Sequence, residues 1–310
     1  MRFMKGLELS RAYFEAYGRP MLERDFAQVI DRVAVGLVGH GSECFGYDDE
    51  VSKDHDFAPS FSLWLTDEDE KLFGFKLFRA YQSLPKSYGS VSLQAESLQG
   101  NAGRGVQTIS SFYRYYTGCD GAPETLEAWV KIPSFYLAEA TNGEVFFDPL
   151  GSFSEIRRQI TMDMPHDARK KRLASALFLM AQSGQYNLMR CMKHGELGAA
   201  ALALYRFVES ALQVIYLLNF RYAPYYKWAL KGISSLALLR REGEFLELLL
   251  RKGVGEGAVC TVEEIAKGVI AELIDQGYTP CLGDYLEPYA VHIQQSITDH
   301  GLRNMPIVIE

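Results

Sequence analysis

The sequence predicts the α/β (α+β) class, with a mixed-sheet domain followed by an all-α helical bundle. Two short apolar runs, Val33–Val38 and Phe61–Leu65, have the length of strands and are bounded by glycine, proline and acidic residues. In the second half of the chain such runs stop, and apolar residues recur at helical spacing. We therefore expect a mixed domain over residues 1–162 and a helical domain over residues 163–310.

Local patterns predict the other elements of the first domain. Thr66 is a capping residue followed by four acidic residues, which favours the start of a helix. The polar, glycine-containing segment from Lys86 to Arg104 predicts a loop or an irregular hairpin. Helices are also expected within Leu7–Asp31 and over Phe112–Gly118, strands over Gly105–Ile109 and Glu144–Asp148, and about seven helices after residue 163.

Composition limits the classes of function. The chain has 310 residues, 48% hydrophobic and 23% charged, which are ordinary values for a folded protein large enough for two domains. A formal charge of −7 argues against a broad nucleic-acid-binding surface, which is normally basic. Nucleic acid is therefore not an expected partner.

The cysteines and the apolar stretches indicate the compartment. The five cysteines are scattered and form no CxxC pair, so we expect neither a zinc site nor a disulfide framework. The N-terminal stretch lacks the apolar core of a signal peptide, and we expect no apolar stretch to reach the length needed to span a membrane. These features predict a cytoplasmic protein without a membrane partner.

The main functional pattern lies between the two apolar runs. The first run ends in GHGS (residues 39–42), and the second is preceded by DHD (residues 54–56). Gly41 lets a phosphate approach the backbone, turn amides can bind an anion, and Ser42 adds a hydroxyl. In an extended segment Asp54 and Asp56 share a face, and paired carboxylates suit magnesium, which completes its shell with water and substrate phosphates.

At this spacing the pattern resembles the nucleotidyltransferase superfamily of DNA polymerase beta. Its signature is a hydrophobic residue, Gly, Gly or Ser, roughly a dozen residues, then Asp-hydrophobic-Asp. Here eleven residues separate Ser42 from Asp54. The longer string GSECFGYDDEVSKDHDF resembles the DUF4037 family, which is distantly similar to antibiotic nucleotidyltransferases. The resemblance implies magnesium-dependent transfer of a nucleoside monophosphate, AMP from ATP, to a hydroxylated small molecule, with release of pyrophosphate.

The resemblance also implies roles for residues of both domains. Asp54 and Asp56 would hold one or two magnesium ions, and Gly41 and Ser42 would contact the phosphates. Two further strings, QYN-x-x-R (residues 185–190) and RY-x-P-x-x-KW (residues 221–228), belong to the same resemblance. Related enzymes hold the phosphates with a lysine or arginine of the helical domain. The expected nucleotide-binding set there is Lys227, Arg221, Arg190, Asn187 and Tyr225, although a solvated lysine and a packing tyrosine are the alternatives.

A third metal carboxylate has no obvious position. In this superfamily it commonly lies on the strand after the first helix that follows Asp-x-Asp, where this chain has Gln107, a poor magnesium ligand. Glu144 and Asp148 lie four residues apart, on one face of an extended segment. Either could supply the carboxylate or a general base, or be a solvated strand end. The alternative to an active enzyme is a catalytically impaired nucleotide-binding regulatory protein of the same fold. Nucleotide addition to tRNA is disfavoured by the acidic charge.

Overall fold

Strand β1 (Ala34–Leu37) lies inside a four-stranded mixed sheet. Strands β2 (Ser62–Leu65) and β6 (Glu144–Phe147) flank it in antiparallel pairing, and β5 (Gly105–Thr108) pairs in parallel with β2, giving the order β5-β2-β1-β6. Strands β1 and β2 are buried along their whole length, as expected for continuous apolar runs. The predicted mixed α/β class is confirmed.

The coordinates are a computed structural model, which describes residues 4–50, 59–89, 91–92 and 104–309. The polar segment after residue 85 contains a short hairpin, formed by β3 (Ser87–Tyr88) and β4 (Val91–Ser92). Helices in this part of the chain include α1 (Gly6–Tyr13), α2 (Arg19–Asp25), α3 (Asp67–Asp69), α4 (Phe75–Gln82), α5 (Ile109–Thr117), α7 (Ser134–Thr141) and α8 (Ser152–Met162). Two π-helical segments, Phe14–Gly18 and Glu70–Gly74, continue α1 into α2 and α3 into α4.

The chain divides into two compact units whose boundary is not a single point. The first unit contains Met1–Glu124 and Tyr136–Asp163, and the second contains Thr125–Phe135 and Met164–Glu310. The sequence predicts a contiguous first domain that includes Thr125–Phe135. In the structure this segment, with helix α6 (Leu126–Lys131), packs against the second unit because Arg172 donates a hydrogen bond to the Trp129 carbonyl at 2.7 Å.

The second unit is a helical bundle, as predicted. Between residues 164 and 309, all of which are described, the chain forms seven helices. The first runs without interruption through α9 (His166–Met180), a π-helical segment (Ala181–Leu188) and α10 (Met189–Lys193). The others are α11 (Leu197–Leu218), α12 (Tyr226–Ile233), α13 (Arg240–Lys252), α14 (Ala258–Asp275), α15 (Leu286–Gln295) and α16 (His300–Asn304).

Helix α11 corrects one expectation from the sequence. An 18-residue window of this helix has a mean hydropathy of 1.4, so by length and composition it is the one helix in the described part of the chain that could cross a membrane. In the structure 61% of that window is buried. Its residues Phe207, Ala211 and Ile215 belong to the core of the second unit, which is the position of a core helix.

Lys171 on α9 is wholly buried where the C-terminal segment packs. Its Nζ donates to Gln294 Oε1 at 2.9 Å and to the Pro306 carbonyl at 2.6 Å. Burial lowers the pKa of this ammonium to about 8. Because an unfolded chain keeps a lysine pKa of about 10.4, the unfolded state binds more protons between these two values, and this group makes the free energy of unfolding rise with pH there.

We expect Lys171→Met to remove this contribution. Urea unfolding of wild type and variant at pH 7, 8, 9 and 10 measures it. The free energy of unfolding of the wild type, minus that of the variant, should increase steadily above pH 8, because the cost of burying the charge disappears as the ammonium loses its proton. A difference that stays constant with pH would contradict the assignment.

Candidate functional site

The turn of residues 39–42 follows β1 and requires glycine at two positions. The backbone φ is 116° at Gly39 and 120° at Gly41. A Cβ atom on Gly39 would lie 2.7 Å from the Tyr116 hydroxyl, and one on Gly41 would lie 2.5 Å from the Glu43 carboxylate. The positive φ angles therefore favour glycine at both positions, and an added side chain would also have to displace these neighbouring side-chain ends. A single 3₁₀ turn, Glu43–Phe45, follows with Ser42 as its N-cap.

The side chain of Asn142 holds the start of this turn. Its Oδ1 accepts a hydrogen bond from the Gly39 amide at 2.8 Å, and its Nδ2 donates to the Gly39 carbonyl at 2.7 Å. The His40 Nδ1 atom lies 3.3 Å from Glu139 Oε1. Across the described residues no hydrogen bond engages the amides of Gly41 and Ser42. Asn142 thus holds the start of the turn, and the Gly41 and Ser42 amides make no hydrogen bond among the described residues.

A buried ion pair joins the turn to β5. The Arg104 guanidinium contacts the Glu43 carboxylate and donates to Ser60 Oγ at 2.8 Å. The two paired side chains are only 12% and 14% exposed. Burial lowers the pKa of Arg104 to about 10, so the group stays charged at neutral pH. Neither residue of the pair is part of a recognisable sequence pattern, because an arginine in a polar segment forms none.

The strand register shows which residues lie at the turn end of the sheet. Strand β1 finishes with Leu37, which pairs with Glu144 at the start of β6. Because β1 and β2 are antiparallel, β2 begins with Ser62 at this same end. Ser62 pairs with Gly105, the residue after Arg104. Glu144 and Arg104 therefore lie at the end of the sheet where the glycine turn begins.

The structure separates the two candidate carboxylates of β6. Glu144 forms an ion pair with Arg11 at the turn end, and its side chain is 47% exposed. Asp148 follows the end of β6 at Phe147, near the opposite end of the sheet. Its Oδ2 accepts from the Ser154 amide at 2.8 Å, so it caps the first turn of α8. Of the two residues only Glu144 lies within the strand, since β6 ends one residue before Asp148, and Glu144 is the better candidate.

Gln107 does not lie at the turn. It pairs with Trp64, which in turn pairs with Ala34 at the start of β1. Trp64 is also eight residues after Asp56 in the chain. Because Gln107 lies away from the turn, its neutral side chain does not indicate that a metal ligand near the turn has been lost.

The predicted magnesium ligands Asp54 and Asp56 lie outside the described residues. Within the described ranges, no group of three or more histidine, cysteine, aspartate or glutamate side chains could hold a metal ion. The magnesium site therefore stays a prediction that rests on the residue types and spacing of the sequence.

Lys227 lies on the first turn of α12 and is exposed. Helix α12 begins at Tyr226. The Lys227 Nζ lies 5.5 Å from the centre of the Trp228 ring, a cation–π contact. The side chain is therefore restrained on one side only and is accessible to a ligand.

The other predicted residues of the helical domain lie in two segments of the second unit. Arg190 donates to the Tyr186 hydroxyl at 3.2 Å and lies over its ring. Tyr225 packs edge-on against Phe135, with ring centres 5.7 Å apart. The exposed Arg221 and the half-buried Asn187 complete the set.

Comparison with known proteins identifies a family for part of the chain. Residues 129–229, about a third of the sequence, match the model of a family described as a domain of unknown function, DUF4037. The resemblance to this family is confirmed over that stretch, which includes the end of helix α6, helices α7 to α11 and the start of α12. Neither the curated proteins nor the solved structures gave a match. The matched stretch excludes the glycine turn and the two aspartates, so it carries no information on nucleotidyl transfer.

The ion pair at the turn gives a testable prediction. Arg104→Met leaves the Glu43 carboxylate enclosed without a partner, which typically costs about 3–5 kcal/mol in the free energy of unfolding. Urea unfolding followed by circular dichroism measures this loss. The double variant Arg104→Met/Glu43→Leu is the matched control and should recover most of it, because no unpaired charge remains. Equal losses in the single and double variants would show that the charge pair is not the cause.

Proposed function

We propose that the chain is a magnesium-dependent nucleotidyltransferase that transfers AMP from ATP to a hydroxylated small molecule and releases pyrophosphate. The observation that carries the proposal is the glycine turn at the end of β1, in which the Gly41 and Ser42 amides are unused among the described residues. Such donors suit phosphate oxygens. The two aspartates that follow at the spacing of the superfamily supply the residue types for the metal.

The charge near the turn supports binding of a triphosphate. The Glu43 carboxylate lies close to Gly41 and would repel a phosphate if it were unpaired. Arg104 neutralises it, and both side chains of the pair are largely buried. The ion pair between Arg104 and Glu43 thus removes a charge that would repel the phosphates where the backbone amides of the turn would contact them.

In the proposed reaction the acceptor oxygen attacks the α-phosphorus of ATP, and the bond from that phosphorus to the pyrophosphate oxygen breaks. Asp54 and Asp56 would hold magnesium, which neutralises the triphosphate and lowers the pKa of the acceptor hydroxyl. We assign to Glu144 the removal of the acceptor proton, because it is the candidate carboxylate at the turn end of the sheet. The Gly41 and Ser42 amides orient the phosphates for in-line attack.

Charge and cysteine content support the remaining parts of the proposal. A net charge of −7 favours a small-molecule acceptor over a nucleic acid. All five cysteines are free in the structure, which agrees with a reducing compartment, and we propose that the protein acts in the cytoplasm.

Pyrophosphate release tests the assignment of the carboxylates. The assay uses ATP, magnesium and a mixed pool of aminoglycosides, lincosamides and nucleosides. Asp54→Asn, Asp56→Asn and Glu144→Gln should each reduce the rate by about 100-fold or more, as expected for loss of a metal ligand or a general base. Asp148→Asn is the matched control and should retain the rate, because asparagine also caps a helix. A rate lost with Asp148→Asn and kept with Glu144→Gln would reverse the assignment.

A second test concerns Lys227. If it holds the phosphates, Lys227→Ala should weaken ATP binding by on the order of 1.5–3 kcal/mol, because a charge-assisted contact is lost, and leave adenosine binding unchanged. Lys231→Ala, also exposed on α12, is the control. Calorimetric titrations of both ligands measure the difference. Equal losses for ATP and adenosine would indicate packing around Trp228 instead.

A further inference from the structure

A pocket of about 510 Å³ lies within the second unit, between α6, α9, α11 and α12. This volume is typical of sites for small molecules. Most of the wall is apolar, and nearly all of the lining belongs to the stretch that matches the family model. Lining side chains include Val130, Ile132, Phe135, Leu179, Leu212 and Leu217.

The side chain of Arg172 is a cation that lies in this mostly apolar wall. The guanidinium of Arg172 donates to the Trp129 carbonyl at 2.7 Å, to Ser134 Oγ at 3.1 Å and to the Ile132 carbonyl. These acceptors are neutral and use three of its five N–H groups. Among the residues that the structure describes in this unit, no carboxylate pairs with Arg172. Burial lowers its pKa to about 10, so it remains a cation at neutral pH.

The other charged side chains of the wall are compensated. Lys131 pairs with Glu127 at 2.6 Å, and Arg206 lies 3.8 Å from Glu209, each within its own helix. All four are largely exposed, so water screens them further. Arg172 therefore supplies the only uncompensated charge that lines the pocket, as far as the described residues show.

A second buried arginine strengthens the positive potential. Arg169 lies over the Phe220 ring at 4.5 Å and donates to the Leu217 carbonyl at 3.3 Å. Its charge contributes to the lowered pKa of Arg172. Two buried guanidinium groups close together, in a chain of net charge −7, are costly unless an anion offsets them.

We propose that this pocket binds a small monocarboxylate with an apolar body. Arg172 is the one uncompensated cation among the described residues that line the pocket, which suits a single negative charge better than a doubly charged phosphate, and its two unused N–H groups suit a carboxylate. The apolar wall, with the Phe135 and Tyr225 rings at one side, would cover the body of the ligand. The proposal does not depend on nucleotidyl transfer.

Calorimetric titration of the full chain tests it with two probes of one shape, 1-naphthoate and the neutral 1-naphthamide. We expect naphthoate to bind at least tenfold more tightly. Arg172→Met should remove this preference, whereas Arg172→Lys, which keeps the charge, should retain part of it. Failure of naphthoate to bind, equal affinities for the two probes, or an unchanged preference in Arg172→Met would each overturn the proposal.

A second variant keeps the test decisive if Arg172→Met does not fold. Gln213→Trp adds a ring to the lining on α11 and should weaken both probes at least tenfold, because it fills the pocket. Unchanged binding would place the probes elsewhere and refute the site. Competition with inorganic phosphate and AMP decides the anion class. Displacement of naphthoate by either at lower concentration than by benzoate would overturn the monocarboxylate assignment.

Discussion

The close backbone approach of β1 and β6 is the constraint on which the candidate site depends. A Cβ atom on Gly36 would lie 2.4 Å from the Glu144 carbonyl oxygen, and one on Gly143 would lie 2.0 Å from the Leu37 carbonyl oxygen. Only glycine permits such contacts. This approach brings the residue before Gly143, Asn142, within hydrogen-bond distance of the Gly39 backbone. The glycine turn and the carboxylate at the start of β6 thus owe their proximity to two residues without side chains.

Electrostatics organises both units through buried arginines, although the chain as a whole is acidic. In the first unit Arg104 is neutralised by Glu43, so the turn carries no net charge of its own. In the second unit Arg172 contacts carbonyl oxygens and a hydroxyl and keeps its charge. Arg104 thus belongs to an ion pair at the turn, whereas Arg172 lines a pocket without a paired carboxylate among the described residues, which is the basis of the proposed anion site. Buried arginine side chains therefore have different roles in the two units.

Local pattern predicted the elements well, because strand length, apolar runs and capping residues are local properties. The four strands of the sheet lie where the sequence analysis placed them, and Thr66 caps its helix by accepting a hydrogen bond from the Asp69 amide. Register was not predictable, since it depends on pairing between distant segments. For this reason the sequence pattern places Gln107 at the position of the third metal carboxylate, although it pairs with Trp64, away from the turn.

The remaining differences also have non-local causes. Nothing in the sequence around Arg104 indicates its partner, because Glu43 lies sixty-one residues earlier. The return of Thr125–Phe135 to the second unit depends on hydrogen bonds from Arg172. The apolar character of α11 is ambiguous by itself, and its burial in the core resolves it.

A crystal structure of the chain with magnesium and a non-hydrolysable ATP analogue is the most direct test of the proposed nucleotide site. The proposed function predicts phosphate oxygens within hydrogen-bond distance of the Gly41 and Ser42 amides, and a magnesium ion bound by Asp54 and Asp56. Phosphates bound only by residues of the second unit, with the glycine turn unoccupied at saturating analogue, would contradict it.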